Sequence, residues 1–131
     1  MAIFGIGAHL NVGDVTAQFV TGGVACVGWT EQQAPPAHAM LRQLRIGDII
    51  FVKANTPQGG LTIKAVGIIT KAKIRKMSTL GSCVSVRWVW TGKEHIGKLN
   101  DKWPVRSVTL YEEHHPKVQA KVISLLLDHN Q

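Results

Sequence analysis

An aromatic ring followed at once by two hydrogen-bonding side chains stands at the end of an apolar run. Residues 23–31 read Gly-Val-Ala-Cys-Val-Gly-Trp-Thr-Glu, and β-branched residues between glycines predict a buried strand. Such a strand delivers Trp29 at its end, with Thr30 and Glu31 beside it. A large flat ring next to polar groups predicts the floor of a site for a planar ligand.

The other three tryptophans fit structural roles at least as well as binding roles. Trp88 shares a strand face with two valines, so we predict that it lies in the core. Trp90 ends the same predicted strand and suits a core role or a binding role equally. Trp103 lies in a predicted loop, where we favour a plug beneath the loop over a lid.

Side chains that bind metals or act as nucleophiles form no recognisable motif. Adjacent His114 and His115 would point apart on a strand or loop, and no Cys, His or Asp stands at the spacing of a tetrahedral site. Cys26 and Cys83 each lie in an apolar run without a CxxC spacing, which predicts buried reduced thiols rather than a disulfide or a metal site. The sequence contains no GxSxG, HExxH or P-loop motif, and we expect no cofactor.

Positive charge is concentrated in the second half of the sequence. The 131 residues carry 15 Lys and Arg against 8 Asp and Glu, a net charge of +7, and residues 1–41 contain no Lys or Arg. Residues 64–106 contain ten basic residues against Glu94 and Asp101. This asymmetry is typical of a surface that faces a polyanion, since each neutralised phosphate releases counterions. The alternative is a solvated face of a basic protein.

The length of the chain and the glycines and prolines that separate its apolar runs predict one α+β domain over residues 1–131. Apolar and alternating runs predict strands at 3–7, 24–29, 49–54, 61–70, 83–90 and 105–111. Apolar stripes predict one helix after Pro35-Pro36, ended by Gly47, and another from Pro116. Residues 71–82 and 91–104 are predicted as a basic connection and a lysine-rich loop. We predict a curled or closed β-barrel of about five to six strands with two peripheral helices.

The first residues, Met-Ala-Ile-Phe-Gly, contain no basic stretch, and no long apolar run follows them. The sequence therefore shows neither a secretory signal nor a membrane span. We expect a soluble, cytoplasmic protein.

Three segments together resemble the PUA-like superfamily. They are strand 23–29 followed by a helix, residues 46–53 (Ile-Gly-Asp-Ile-Ile-Phe-Val-Lys) and residues 64–69 (Lys-Ala-Val-Gly-Ile-Ile), and residues 86–88 and 108–112 are similar to its closing strands. The closest likeness is to EVE domains and to the reader domains of McrBC-type restriction systems, and YTH readers are more distant. The resemblance covers roughly residues 3–127 and implies a small β-barrel that binds DNA or RNA. Several members hold a flipped, modified base against aromatic rings.

The same resemblance implies which residues form the base site. Trp29 matches a tryptophan that forms one wall of the cage in YTH readers, Thr30 falls where polar groups meet the base edge, and Lys53 falls near the mouth of the pocket. We add Trp90, at its strand end, to the predicted site. The second aromatic of a YTH-type cage is expected within residues 71–82, which contain none. Met77 or a side chain of another strand would have to supply that wall.

We therefore predict a non-catalytic module that binds DNA or RNA and receives one flipped base, modified or unmodified. The residues predicted to contact phosphates are Lys71, Lys73, Arg75, Lys76, Lys93, Lys98 and Lys102. One alternative is an enzyme acting on modified nucleosides, as in the similar ASCH branch, with Lys53, Thr30 and Glu31 as counterparts of its lysine, threonine and glutamate. Another is a scaffold of a defence or mobile-element system whose C-terminal helix docks a partner.

Overall fold

A six-stranded sheet, curled into a half-barrel, forms the centre of the molecule. The structure is a computed structural model that describes residues 1–10, 12–99, 106 and 108–128. Its strands are β1 (Ile3–Gly7), β2 (His9–Leu10), β3 (Gly13–Asp14), β4 (Val24–Val27), β5 (Ile49–Thr56), β6 (Gly60–Met77), β7 (Gly81–Gly97) and β8 (Leu110–Glu112). Within the described residues the helices are α1 (Thr16–Gly22), α2 (Pro35–Leu41) and α3 (Pro116–Leu127).

The large sheet has the strand order β4-β7-β6-β5-β1-β8, and β2 and β3 form a separate ribbon. β1 runs parallel to β5, whereas the other neighbours in the large sheet are antiparallel. β6 and β7 are 18 and 17 residues long, and their register shifts repeatedly along the pair. Irregularities of this kind bend strands and increase their twist, which lets the sheet curl.

Both faces of the central strand β5 are covered over its first four residues, 49–52, which explains the continuous apolar sequence there. Ile50 and Val52 belong to a buried cluster that includes side chains of α1 and α2. Ile49 and Phe51, which point to the opposite face, belong to a second cluster that includes the buried stripe of α3. The sheet is therefore packed between α1 and α2 on one side and α3 on the other.

Several predictions about the fold are confirmed. The protein is α+β with a curled sheet of six strands. The β5–β6 hairpin turns where the sequence Pro-Gln-Gly-Gly indicates, and α3 begins at Pro116 and buries Val118, Val122 and Leu125. Helix α2 begins at the predicted prolines but ends at Leu41, so Gly47, with φ +91, belongs to a later turn and does not end the helix.

The predicted connection over residues 71–82 is wrong over most of its length, and the predicted loop over residues 91–104 is wrong for its first half, while residues 100–104 lie outside the described residues. Residues 71–77 continue β6 and residues 91–97 continue β7, so a turn of residues 78–80 joins the strands. Basic side chains alternate there with Ala72 and Ile74, and Ile74 packs against the first core cluster. The segment is thus a strand with one charged face. Its many basic residues led us to predict a connection although basic and apolar residues alternate along it. The last strand is shorter than predicted, since β8 begins at Leu110.

Helix α1 was not predicted, so the expected two helices are one too few. Its N-cap residue Val15 makes no side-chain capping hydrogen bond, its first turn has no acidic residue, and Phe19 is its one buried side chain. A helix without capping signals and with a single apolar anchor has no periodic stripe to detect. Gly23, at φ +64, ends it in the left-handed conformation.

The two cysteines form a disulfide, so the prediction of reduced thiols is wrong. Cys26 on β4 and Cys83 on β7 are direct partners in the sheet register, with their Cα atoms 4.0 Å apart and both side chains fully buried. Their pairing depends on strands brought together from 57 residues apart, which the sequence spacing does not reveal. Disulfides are typical of oxidising compartments, and the cytoplasmic location stays a prediction.

Candidate nucleic-acid interface

The Trp29 side chain stands exposed just beyond the buried strand β4. All four residues of β4 are buried, the chain then leaves the sheet at Gly28, and 44 % of Trp29 remains accessible to solvent. The buried His38 ring of α2 donates from Nε2 to the Trp29 carbonyl oxygen at 2.6 Å. The backbone that carries the exposed ring is therefore fixed against the helix.

The turn after Trp29 is closed by its own side chains. Thr30 N donates to Gln33 Oε1 at 2.9 Å, and Gln33 N donates to Thr30 Oγ1 at 3.2 Å. Glu31 pairs with Arg42 at 2.7 Å, and both side chains are exposed. A surface pair of this kind adds little stability, but it balances the negative charge of Glu31 next to Trp29.

The tip of the β6–β7 hairpin packs directly against the end of β4. Gly81 has φ +95, and a Cβ atom at this position would lie 2.3 Å from the Val27 carbonyl oxygen and 2.9 Å from the Gly28 Cα. The backbone approach therefore requires glycine. This contact brings Lys76 and Met77, at the end of β6, beside Trp29.

Trp29 and the hairpin tip line an open cleft of about 530 Å³, which we call the Trp29 cleft. Its lining residues are Gly28, Trp29, Thr30, Glu31, His38, Lys76, Met77, Ser78, Gly81 and Ser82. The volume lies within the range of roughly 300–1,000 Å³ that is usual for small-ligand sites. An aromatic ring, a thioether and several hydroxyl groups thus converge on a space of suitable size for one planar ligand.

A smaller cleft of about 130 Å³ adjoins the Trp29 cleft, and we call it the Leu10 cleft. Its lining residues are Leu10, Val12, Gly28, Trp29, Gln33 and Thr79. Trp29 and Gly28 belong to the walls of both clefts. Trp29 therefore contributes to two adjoining concave surfaces.

Four of the predicted phosphate-binding residues form a basic strand that leads away from the Trp29 cleft. All four side chains are exposed on the last part of β6, which leads to the hairpin tip: Lys71, Lys73, Arg75 and Lys76. Lys76 also lines the cleft itself. Arg75 Nη2 donates to Ser85 Oγ at 3.4 Å on the neighbouring strand. We refer to these four side chains as the basic strand face.

The remaining predicted phosphate contacts lie elsewhere or outside the described residues. Lys93 lies near the far end of β7, where it lines a groove with Asp14 and Lys64, and Lys98 directly follows the strand. Lys64 is already paired with Asp14. Lys102, like Trp103, lies outside the described residues. The structure therefore separates the predicted basic surface into two regions.

Trp90 and Lys53 do not join Trp29 and Thr30. Trp90 packs against the core cluster beneath α3, opposite Val66 in the sheet, and so has a structural role. Trp88 is also structural, because its Nε1 donates to the carbonyl oxygens of Phe19 and Val24, both at 3.0 Å.

Lys53 lies on β5, which is separated from β4 by two strands of the sheet. Its Nζ donates to the Arg106 carbonyl oxygen at 2.6 Å and lies 5.8 Å from the centre of the Tyr111 ring. Burial lowers the pKa of Lys53 to about 8. The three residues of the enzyme alternative, Lys53, Thr30 and Glu31, therefore do not share a cleft.

Sequence reasoning missed most of the residues that complete the Trp29 cleft. Met77 was considered for the second wall, and the structure brings it there. Ser78, Ser82 and His38 had no detectable signal, because their positions depend on where the hairpin tip and α2 meet the end of β4.

Comparison with known proteins adds no relative to this description: no protein-family model and no curated protein matches the sequence. Within the described part of the chain, no helix is both long and apolar enough to cross a membrane. The same residues contain no group of three or more His, Cys, Asp or Glu side chains arranged to hold a metal ion. The geometry and charge of the Trp29 cleft are therefore the basis for a functional proposal.

Proposed function

We propose that this protein is a non-catalytic nucleic-acid-binding module of PUA-like fold, which receives one base in the Trp29 cleft and contacts the adjoining phosphates through the basic strand face. The observation that carries this proposal is the junction of the two features at Lys76. The exposed Trp29 ring and the end of the basic strand line the same cleft of about 530 Å³.

The cleft offers the contacts that a base needs. Stacking on an aromatic ring is worth about 1–3 kcal/mol per base, and Met77 supplies a polarizable side chain of the kind that packs well on flat rings. The hydroxyl groups of Thr30, Ser78 and Ser82 can donate to or accept from base edges. The cleft thus combines an aromatic ring and a thioether with several polar groups.

The energy of stacking indicates which nucleic acids suit the cleft. Extruding a base from a duplex costs a few kcal/mol, about as much as one tryptophan returns by stacking. A single ring therefore favours a base that is already unpaired, in a single strand, a loop or a damaged duplex. A base modification that weakens pairing lowers the same cost.

The basic strand face supplies the electrostatic part of binding. Its four cations are exposed and are not in ion pairs with acidic side chains among the described residues. Each phosphate that they neutralise would release condensed counterions and add roughly 0.7 to the salt slope on a single strand. Affinity is therefore expected to fall steeply with salt, independently of the base in the cleft.

The test is fluorescence anisotropy on labelled single- and double-stranded DNA and RNA, with and without methylated or hydroxymethylated bases, at several salt concentrations. Trp29→Ala is expected to weaken binding to single strands by roughly five- to 150-fold, as expected for one stacked base. The salt slope should be unchanged, because no cation is removed. Trp29→Phe keeps an aromatic ring and should retain most of the affinity.

Two results would contradict the proposal. One is equal affinity of Trp29→Ala and wild type for every probe, which would leave the cleft without a role in binding. The other is an absence of binding to any nucleic acid at low salt. Turnover of acetylated or methylated cytidine by the protein would instead favour the enzyme alternative.

A further inference from the structure

We propose that the ligand is a single-stranded nucleic acid recognised as two adjacent nucleotides, with one base in the Trp29 cleft and its neighbour in the Leu10 cleft. This inference rests on the proposed function and deepens it. Trp29 and Gly28 line both clefts. Because the clefts share these two lining residues, neighbouring nucleotides of one strand can place a base in each.

The Leu10 cleft has an apolar wall that is partly exposed to water. Val12 is 82 % exposed and Leu10 is half-buried. Leu10 packs closely on the backbone of Gly28, where a Cβ atom would lie 2.4 Å from Leu10 Cδ2. The face of a base placed here would remove apolar surface of Leu10, Val12 and Trp29 from water.

The same cleft has two polar groups that suit the edge of a base. Gln33 Oε1 accepts from Thr30 N at 2.9 Å, which orients the amide and leaves its nitrogen to donate to a ligand. The Thr79 hydroxyl, on the hairpin tip, donates or accepts. An apolar wall with a few polar groups is the usual composition of a small-ligand site.

A single strand fits this pair of clefts better than a duplex does. Filling both clefts from a duplex requires extruding two neighbouring bases, with two pairs broken. A single strand presents unpaired bases that can separate and stack on protein side chains. The two adjoining clefts therefore favour an unpaired stretch of the ligand.

Five-nucleotide DNA probes of constant phosphate number test this inference. One probe has a single thymine among abasic residues, a second has two adjacent thymines, and a third has two thymines separated by one abasic residue. A parallel set carries adenine. Anisotropy titrations at fixed low salt compare wild type, Trp29→Ala, Leu10→Ala and Val12→Ser with the control Val108→Ser, which changes an exposed valine outside both clefts.

The adjacent pair is expected to bind wild type about five- to 150-fold more tightly than the single base, the range expected for one additional stacked base. The separated pair should gain no more than the doubling that a second identical base allows. Leu10→Ala and Val12→Ser should lose the gain of the adjacent pair and keep the affinity for the single base. Val108→Ser should behave as wild type. Because Val12 is exposed, its substitution keeps the test valid even if Leu10→Ala unfolds.

The results that overturn this inference differ from those that overturn the proposed function. If adjacent and separated pairs bound equally, and Trp29→Ala still weakened the single-base probe, the two-nucleotide inference would fail while the proposed function would stand. If Trp29→Ala changed the affinity for no probe, both would fail. A gain for the adjacent pair that survived in both Leu10→Ala and Val12→Ser would place the second base outside the Leu10 cleft.

Discussion

Gly81 is the residue on which the shape of the Trp29 cleft depends most directly. It lets the hairpin tip approach β4 so closely that a side chain there would overlap the Val27 carbonyl oxygen. Gly47 provides a natural comparison, because it has a similar positive φ of +91 but no heavy atom of the described residues within 4 Å of an added Cβ. The two glycines separate the cost of backbone strain from the cost of lost packing.

Gly81→Ala is expected to lower the free energy of unfolding by about 3–4 kcal/mol, through left-handed strain and overpacking together. Gly47→Ala should lose about 1–2 kcal/mol, from strain alone. Urea unfolding followed by tryptophan fluorescence measures both. Equal losses in the two variants would show that the hairpin tip does not depend on its contact with β4.

Lys53 couples its protonation to folding. Burial lowers its pKa to about 8 from an ordinary value of 10.5, so the folded protein disfavours the charged form. Between about pH 8 and 10.5 the unfolded chain binds more protons than the folded one, because Lys53 is charged only in the unfolded chain. The free energy of unfolding is therefore reduced by Lys53 below pH 8 and rises with pH across this range.

Relative to Lys53→Met, the wild type should gain about 1–2 kcal/mol of unfolding free energy between about pH 7 and pH 10, after allowance for the exposed part of the ammonium group. Urea unfolding across a pH series checks this difference, in which the titration of other groups cancels. Parallel stability curves for the two proteins would argue against a lowered pKa.

At the scale of the elements, apolar runs and stripes in the sequence predicted the strands and helices that have clearly buried faces. The first four residues of β5, Ile49 to Val52, are apolar because both faces of the strand are covered there, and Trp29 follows a strand end that glycines delimit. The pairing of Cys26 with Cys83 and the place of Met77 beside Trp29 were not predictable. Both depend on the register of β4 with β7 and on where a long hairpin ends, and these relations join residues far apart in the sequence.

The disulfide joins the two strands that carry opposite walls of the Trp29 cleft. It closes a loop with a sequence separation of 57 residues, and its removal is expected to cost roughly 4 kcal/mol of unfolding free energy on the chain-entropy estimate. Urea unfolding with and without a dithiol reductant measures the loss. The double variant Cys26→Ala/Cys83→Ala is the control and should not respond to the reductant. If the reductant also left the unfolding free energy of the wild type unchanged, the result would indicate free thiols.

At the scale of the whole molecule, the predicted phosphate-binding residues that the structure describes lie near two ends of the β6–β7 pair. The basic strand face adjoins the Trp29 cleft, whereas Lys93 and Lys98 lie beyond Trp90, more than ten residues further along β7 from the hairpin tip. Under the proposed function, a short nucleic acid centred on Trp29 would therefore reach the first region and not the second. The sequence predicted phosphate contacts from both segments and could not show that they lie at different ends of the strand pair.

Lys73→Ala/Lys76→Ala is expected to weaken binding and to flatten the log–log salt dependence by roughly 0.7–0.9 for each lost phosphate contact. The matched variant Lys93→Ala/Lys98→Ala removes the same charge from the distant end and should leave the slope for a short single strand unchanged. Anisotropy titrations over a salt series measure both slopes. A slope that fell only in the second variant would move the phosphate surface to the far end of β7.

The covalent bond at β4 also bears on how copies of the protein meet. β4 is four residues long and lies at an edge of the sheet, and edge strands are where chains add to one another or exchange segments. Because Cys26 is bonded to Cys83, β4 cannot leave its place and pair with β7 of another copy. In the oxidised protein β4 is thereby prevented from exchanging between copies, and reduction would open that route to dimers and larger aggregates.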